Sequence, residues 1–145
     1  HTNSAQGTVN RVIDAFPGNL QDQIRTQLST SLIGVLAQTL LPKISGGRCA
    51  AYETLVVTPG IANLIRENKT FRINSAIQTG AKFGMQLMDD ALFDHWVNER
   101  VTIEDVLDKA QDPDALAKKI ATARRQMMQM EMESEQLGGA EGEME

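Results

Sequence analysis

The spacing of hydrophobic residues predicts two helices in the first quarter of the chain. Residues 8–16 have the pattern of a short helix, which Pro17-Gly18 ends. Asn19 is placed to cap a longer helix with Asp22 in its first turn, because an asparagine side chain accepts hydrogen bonds from free N–H groups at a helix start. Aliphatic residues recur at every fourth position of this helix, so one face is expected to be buried: Leu20, Ile24, Leu28, Leu32 and Leu36.

The pattern then changes to that of a β-hairpin. Residues 39–44 and 48–57 read as strands, and Ser45-Gly46-Gly47 reads as the turn between them. Pro42 has no N–H to donate, so the first strand is expected at a sheet edge. A lone two-stranded hairpin is only marginally stable in water. The chain also starts at His1 without Met, and we interpret it as a piece of a longer protein that holds the remaining strands.

A series of helices is predicted for the second half. Thr58 is suited to cap the first of them, and Pro59 can occupy its first position, where a missing N–H costs nothing. Beyond Met130 the segment is rich in Glu, Met and Gly, which predicts a frayed helix passing into disorder. The pattern as a whole indicates a mostly helical unit with one hairpin. The predicted helices cover about 59–67, 70–78 and 85–98, and two more start near Thr102 and Asp112.

Charge and composition exclude several classes of function. The chain has 14 Lys+Arg and 19 Asp+Glu, a net charge of -5. All basic residues lie between Arg11 and Arg125, whereas residues 131–145 contain six Glu, so the acidity is concentrated in the tail. No basic face with interleaved aromatic residues is present, which argues against direct nucleic-acid binding. No apolar run reaches the ~18 residues of a membrane span.

No self-sufficient catalytic motif is present. The sequence has no phosphate loop, no G-x-G-x-x-G, no paired-cysteine motif and no H-E-x-x-H, so we expect no metal site. The only histidines are His1 and His95, and His95 beside Trp96 is interpreted as a packing or surface residue. The chain alone is therefore not expected to be an enzyme.

Several short blocks along the chain are specific when they are taken together and in order. The first is H-T-N-S-A at residues 1–5. The other blocks are T-V-N-R-V-I-D-A-F-P at 8–17, Q-T-L-L-P-K at 38–43, G-G-R at 46–48, N-L-I-R-E at 63–67, S-A-I-Q-T-G at 75–80 and G-M-Q at 84–86, followed by Asp89. Together they resemble the secretion and type IV pilus ATPases, and most closely the PilT-type twitching-motility branch, whose histidine box the first block resembles. The coincidence of many blocks is far more specific than any one short motif.

The resemblance implies an α/β RecA-like (P-loop ATPase) C-terminal half, which in this piece is mostly helical with a β-hairpin. Residues 1–58 would complete the ATPase core, residues 59–112 would form a C-terminal helical region, and residues 113–145 a final helix with an acidic tail. The implied function is that of a hexameric motor that couples ATP hydrolysis to type IV pilus retraction and twitching motility. ATP and Mg²⁺ would be bound mainly by upstream residues, so the piece alone is expected to be inactive.

The resemblance also implies site residues and partners. His1 would be the catalytic residue that senses the γ-phosphate, and Thr2 and Asn3 complete its box. The family's A-I-R-N-L-I-R-E motif has Ala at the position of Gly60 and Arg at that of Ala62. Its expected partners are five further copies and an inner-membrane pilus platform protein, at the cytoplasmic face of the bacterial inner membrane, peripheral to it. The coupling motif would comprise Gly60, Ile61, Asn63, Leu64, Ile65, Arg66 and Glu67, with Arg48 as a candidate interface residue.

Two alternatives remain open from the sequence. One is a pilus-assembly or type II secretion ATPase; such relatives typically carry a four-cysteine metal-binding insertion, and Cys49 is the single cysteine here. The other is a non-catalytic helical interaction module that uses the acidic tail for docking. It leaves the blocks at residues 1–5 and 75–84 unexplained.

Overall fold

The computed structural model describes residues 2–141 and divides the chain into two compact units, His1–Gln111 and Asp112–Glu145. The first unit holds six α-helices, three short 3-10 turns and the hairpin among its described residues. The second is formed by one long helix. The elements are α1 Ala5–Asp14, α2 Gln21–Ser31, β1 Gly34–Pro42, β2 Arg48–Val56, α3 Pro59–Arg66, α4 Ile73–Thr79, α5 Met88–Val97, α6 Ile103–Lys109 and α7 Pro113–Glu141, with 3-10 turns at Gly18–Leu20, Thr70–Arg72 and Ala81–Phe83.

Helix α1 starts earlier than the sequence pattern predicted. Ser4 caps it, since its side chain accepts a hydrogen bond from the N–H of Gly7 at 3.0 Å. The helix therefore takes in the three residues before Thr8, and it ends at Asp14, two residues before the predicted end. Its buried residues are spaced by four, so the face they form is directed into the core: Ala5, Val9 and Ile13.

Helix α2 is shorter than predicted. Asn19 does not cap it, because residues 18–20 form a 3-10 turn and the helix starts at Gln21 without a side-chain cap. Asp22 does lie in its first turn. Ile24, Leu28 and Leu32 pack against the core as expected. Leu36, however, belongs to β1 and has 66% of its surface exposed, so the four-residue spacing continued past the helix by coincidence.

The hairpin is confirmed, with a first strand that starts at Gly34 instead of Thr39. The two strands pair antiparallel from Gly34 opposite Val56 to Pro42 opposite Arg48. The other edge of β2 makes a single bridge, in which Thr54 and Gln86 exchange backbone hydrogen bonds of 2.9 and 3.1 Å. One face is buried and the other is exposed. The buried face carries Ala37, Leu41, Ala51, Glu53 and Leu55, and the exposed face carries Leu36, Gln38, Leu40 and Tyr52.

The helix start at Thr58-Pro59 is confirmed, and so is the one at Thr102. Both threonine side chains accept the expected backbone hydrogen bonds. One hydrophobic core then joins α1 and β2 to α3 and α4, through residues such as Val9, Ile61 and Ile77. This core includes residues on both sides of the predicted boundary between residues 58 and 59. The two compact units divide between Gln111 and Asp112, next to the predicted boundary between residues 112 and 113.

Helix α7 includes the segment for which a frayed helix passing into disorder was predicted. It runs to Glu141, eleven residues past Met130, and the disorder of the tail stays a prediction. Glutamate, methionine, glutamine and leucine all have high intrinsic helix propensity, and the segment contains no proline. A composition that is typical of disorder is here also compatible with a helix.

Candidate functional site

The segment that resembles a histidine box leads directly into α1. His1 itself lies outside the described residues. The hydroxyl oxygens of Thr2 and Thr8 are 2.7 Å apart, and the Thr8 hydroxyl donates to the carbonyl of Ser4 at 2.8 Å. Since a hydroxyl has one proton and Thr8 uses its own on Ser4, Thr2 is the donor to Thr8. The threonine of the box is thus fixed against the first turns of α1.

The asparagine of the box is held through its backbone. Asn3 has an exposed side chain, but its carbonyl oxygen accepts a hydrogen bond of 2.6 Å from Nε2 of Gln111. The same amide nitrogen donates to Oε2 of Glu53 at 3.1 Å. The backbone N–H of Gln111 donates to Oδ1 of Asp89 at 2.8 Å. A residue 108 positions away in sequence therefore fixes the backbone of the box.

Glu53 is the buried acidic residue of this region, with 0% of its surface exposed. Its Oε1 accepts a hydrogen bond of 2.7 Å from the N–H of Ala5, and its Oε2 accepts one of 3.0 Å from the N–H of Met88. Ala5 and Met88 are the first residues of α1 and α5. Helix starts carry a partial positive charge, so the two helix ends stabilise a buried carboxylate that has no ion-pair partner among the described residues.

Sequence reasoning missed Glu53, although a signal was present. Ala51, Glu53 and Leu55 alternate along β2, so all three share one face of the strand. A carboxylate between two apolar residues on the core-facing side of a strand needs buried hydrogen-bond donors. The pattern alone indicates that donors exist, and only the fold shows that they are two helix starts.

A cavity of about 460 Å³ lies along α1 beside the box. Its volume is within the range of small-molecule sites, ~300–1,000 Å³. The guanidinium of Arg11 is the cation of its lining, and it can bind an anionic group such as a phosphate. The lining consists of Thr2, Thr8, Arg11, Val12, Ala15 and Phe16.

Helix α3 carries the residues that resemble the coupling motif. Ile61 and Ile65 are buried and Leu64 packs against the same core, as the helical spacing predicted. Asn63, Arg66 and Glu67 are exposed, whereas Ala62 is half-buried and Gly60 is exposed. The side chain of Arg66 donates to Oδ1 of Asn63 at 2.6 Å, and Glu67 pairs with Lys69 at 3.0 Å. The polar face of α3 is thus ordered and accessible.

The structure brings the box and the coupling motif into one core without a direct polar contact. The buried face of α1 and that of α3 belong to the same hydrophobic cluster. Among the described residues, no hydrogen bond joins residues 2–4 to α3. Arg48 is exposed at the start of β2, next to the Gly46-Gly47 turn.

His95 has a structural role in α5. Its Nε2 is 2.9 Å from the carbonyl oxygen of Ala50. A carbonyl only accepts, so Nε2 carries the proton and the imidazole joins α5 to β2. Nδ1 is buried without a protein partner among the described residues.

Neither a metal centre nor a membrane helix is found in the described part of the chain. Within residues 2–141, no three His, Cys, Asp or Glu side chains are grouped so that they could hold a metal ion. The helices in that range are too short or too polar to cross a membrane.

Comparisons with known proteins show which proteins this chain is similar to. No family model matches the chain. The type IV pilus retraction ATPase PilT of Pseudomonas aeruginosa is 45% identical over 114 residues, which are 79% of this chain and 33% of that protein. A twitching motility protein of Neisseria gonorrhoeae is 47% identical over 93 residues, 63% of this chain and 25% of that protein.

The structural comparison agrees with the sequence comparison. A crystal structure of the pilus retraction motor PilT with bound ADP matches with a TM-score of 0.73 and 42% identity, over 81% of this chain and 33% of that one. The chain thus spans a quarter to a third of the length of these relatives. The predicted resemblance to the PilT branch is confirmed, and so is the predicted fold class.

Proposed function

We propose that this chain, which matches a C-terminal portion of the PilT-type pilus ATPases in sequence and in fold, is the corresponding portion of an ATP-driven pilus retraction motor. The observation that carries the proposal is the joint match to PilT, at 42–45% identity and a TM-score of 0.73. Two thirds of the relative lie outside the matched region. The motor activity is therefore assigned to a longer protein that contains this chain.

The box would act at the γ-phosphate of ATP. In this proposal His1 contacts the γ-phosphate, while Thr2 and Asn3 hold the backbone next to it. Support comes from the hydrogen bonds that fix the segment, since a group that senses a phosphate needs a defined position. In the cavity beside Thr2, the single cationic side chain of Arg11 would contact a phosphate group of the nucleotide.

The proposal includes Mg²⁺, which prefers carboxylate and water oxygens. Within residues 2–141, no three His, Cys, Asp or Glu side chains are grouped so that they could hold a metal ion. Thr2 and Thr8 beside the cavity donate their protons to other groups of the chain, so the guanidinium of Arg11 is the lining group that fits phosphate oxygens. We assign Mg²⁺ and the phosphate loop to the part of the longer protein outside this chain, and the contribution of this chain to sensing and coupling.

The coupling part of the proposal concerns α3. Its buried face shares a core with α1, so a displacement of the box can reach α3 through packed side chains. Its exposed face, with Asn63, Arg66 and Glu67, would contact neighbouring subunits of a homohexamer. We place the hexamer at the cytoplasmic face of the inner membrane, where a pilus platform protein receives the force. Arg48 is a second candidate for the subunit interface.

The test is an ATPase assay of the protein extended upstream through its phosphate loop. The extended protein should hydrolyse ATP, and this chain alone should not. The His1→Ala variant should lower kcat by at least about tenfold and weaken ATP binding much less, because the phosphate loop still holds the nucleotide. His95→Ala is the matched control, since His95 contacts Ala50 and is expected to leave kcat unchanged.

Two results would contradict the proposal. Equal loss of binding and turnover in His1→Ala would remove the sensing role. An extended protein that assembles but hydrolyses no ATP would favour the non-catalytic interaction module instead.

A further inference from the structure

The carboxylate of Glu53 joins the starts of two helices that are 83 residues apart in sequence. One oxygen binds the first N–H of α1 and the other binds the first N–H of α5. A buried charge of this kind is rarely needed for stability alone, because well-packed apolar residues often serve as well. Fully hydrogen-bonded buried groups do, however, fix one relative arrangement of the elements they join.

Gln111 extends this connection to the box. Its side-chain amide donates to Glu53 and to the carbonyl of Asn3, at 3.1 and 2.6 Å. Glu53 and Gln111 thereby hold the backbone on both sides of Ser4, at the carbonyl of Asn3 and the N–H of Ala5. Among the described residues of the box, the other side-chain hydrogen bonds are local, between Thr2 and Thr8 and between Ser4 and Gly7. The polar contacts that join the box to β2 and α5 thus run through these two side chains, in addition to the apolar packing of α1 in the core.

We propose that Glu53, together with Gln111, is a positioning residue that holds the box at its working distance from the nucleotide and couples its movement to α5. The inference rests on the proposed function, because it needs a nucleotide beside the box. The carboxylate is planar and rigid, and each of its oxygens is bonded to a different helix. A shift of the box and of the start of α1 must therefore move the start of α5 or break a buried hydrogen bond.

The experiment uses the intact protein with Glu53→Gln. The glutamine side chain of this variant has one oxygen that accepts hydrogen bonds. Its NH₂ group faces the N–H of Ala5 or of Met88 and cannot accept a hydrogen bond from it. Misplacement of the box by a fraction of an ångström should lower kcat by about tenfold or more. The Kd for ATP should change less than about threefold, because the phosphate loop is untouched. Hydrogen exchange should accelerate at the starts of α1 and α5 together.

Two further variants keep the test decisive. Gln111→Leu removes the bond to Asn3 at an exposed residue, so it should fold even if Glu53→Gln does not, and it should also lower kcat more than ATP affinity. Val106→Ala is the structural control, since Val106 is buried in α6 and has no polar side chain. It should lower Tm without changing kcat.

The outcomes separate this inference from the proposed function. An active wild type whose Glu53→Gln or Gln111→Leu variant folds and keeps kcat within about twofold would overturn the positioning role and leave the motor function intact. If Val106→Ala lowers Tm and kcat as much as Glu53→Gln does, the positioning role is overturned as well. A folded wild type without ATPase activity would overturn the proposed function itself, and this inference with it.

Discussion

Gly60 and Ala62 are the two residues at which α3 departs from the motif it resembles. A Cβ at Gly60 would lie 3.9 Å from Oγ1 of Thr58, which is an ordinary contact. Nothing in the fold therefore requires glycine in this first helical turn. The departure changes local helix stability and leaves the packing of α3 intact.

Gly60→Ala is expected to raise the free energy of unfolding of this chain by about 0.5 kcal/mol, because alanine loses less backbone entropy than glycine on folding into a helix. Urea denaturation measures the change. Gly84→Ala is the opposite control: Gly84 has φ +82° after the third 3-10 turn, so alanine there should destabilise the chain by about 1 kcal/mol. A loss of stability in Gly60→Ala would show that the first turn of α3 is more crowded than the Cβ distance indicates.

Placing the arginine of the family motif at position 62 is expected to lower the stability of the chain by a measurable amount. An arginine there would lie four positions before Arg66, on the same side of α3, and like charges at this spacing destabilise a helix by about 0.2–0.5 kcal/mol. We expect Ala62→Arg to lower Tm in low salt and to recover most of the loss in high salt, since salt screens exposed charges. Ala62→Gln is the uncharged control. A loss that is independent of salt would indicate a steric cause.

At the scale of elements, the helix starts were predictable where a threonine precedes them. Thr58 and Thr102 were identified because their side chains act locally, within three residues. The end of α2 was missed because Leu32 and Leu36 continue its spacing, and only the pairing of Gly34 with Val56 shows that a strand has begun. The role of Glu53 was also missed from the sequence. Its hydrogen-bond partners are distant in sequence, and no local pattern contains them.

Gly34 is a glycine that the close pairing of β1 with β2 requires. A Cβ there would lie 2.9 Å from the carbonyl oxygen of Leu55, which is backbone and cannot move aside like a flexible side chain. Gly34→Ala is therefore expected to destabilise the chain by about 1–3 kcal/mol, read as a lower urea midpoint. Gly18→Ala is the matched control, because nothing lies within 4 Å of a Cβ at Gly18. If both variants have the same midpoint, β1 can shift away from β2 at its first residue.

At the scale of the whole molecule, the hairpin presents an apolar face to solvent. Leu36, Leu40 and Tyr52 lie on it with 66, 46 and 39% of their surfaces exposed. The described residues form a two-stranded sheet, and the presence of further strands in a longer protein stays a prediction. The pattern of apolar residues on this face does not determine which residues would cover it. A covering element could therefore not be predicted from residues 1–145.

The exposed face should make this chain associate with itself when it is studied alone, since apolar patches on monomers tend to find partners. The double variant Leu36→Thr, Leu40→Thr should weaken self-association by at least about tenfold, because each leucine buried at a contact contributes roughly 1.5 kcal/mol or more. Sedimentation velocity over a concentration series measures it. Tm should fall only slightly, as 66% of the surface of Leu36 and 46% of that of Leu40 are exposed in the folded chain. Gln38→Thr is the control, since Gln38 lies between the two leucines on the same face and has far less apolar surface to lose than a leucine. If the wild-type chain stays monomeric at the highest concentration reached, the face does not drive association, and its leucines are tolerated in water as isolated exposed residues.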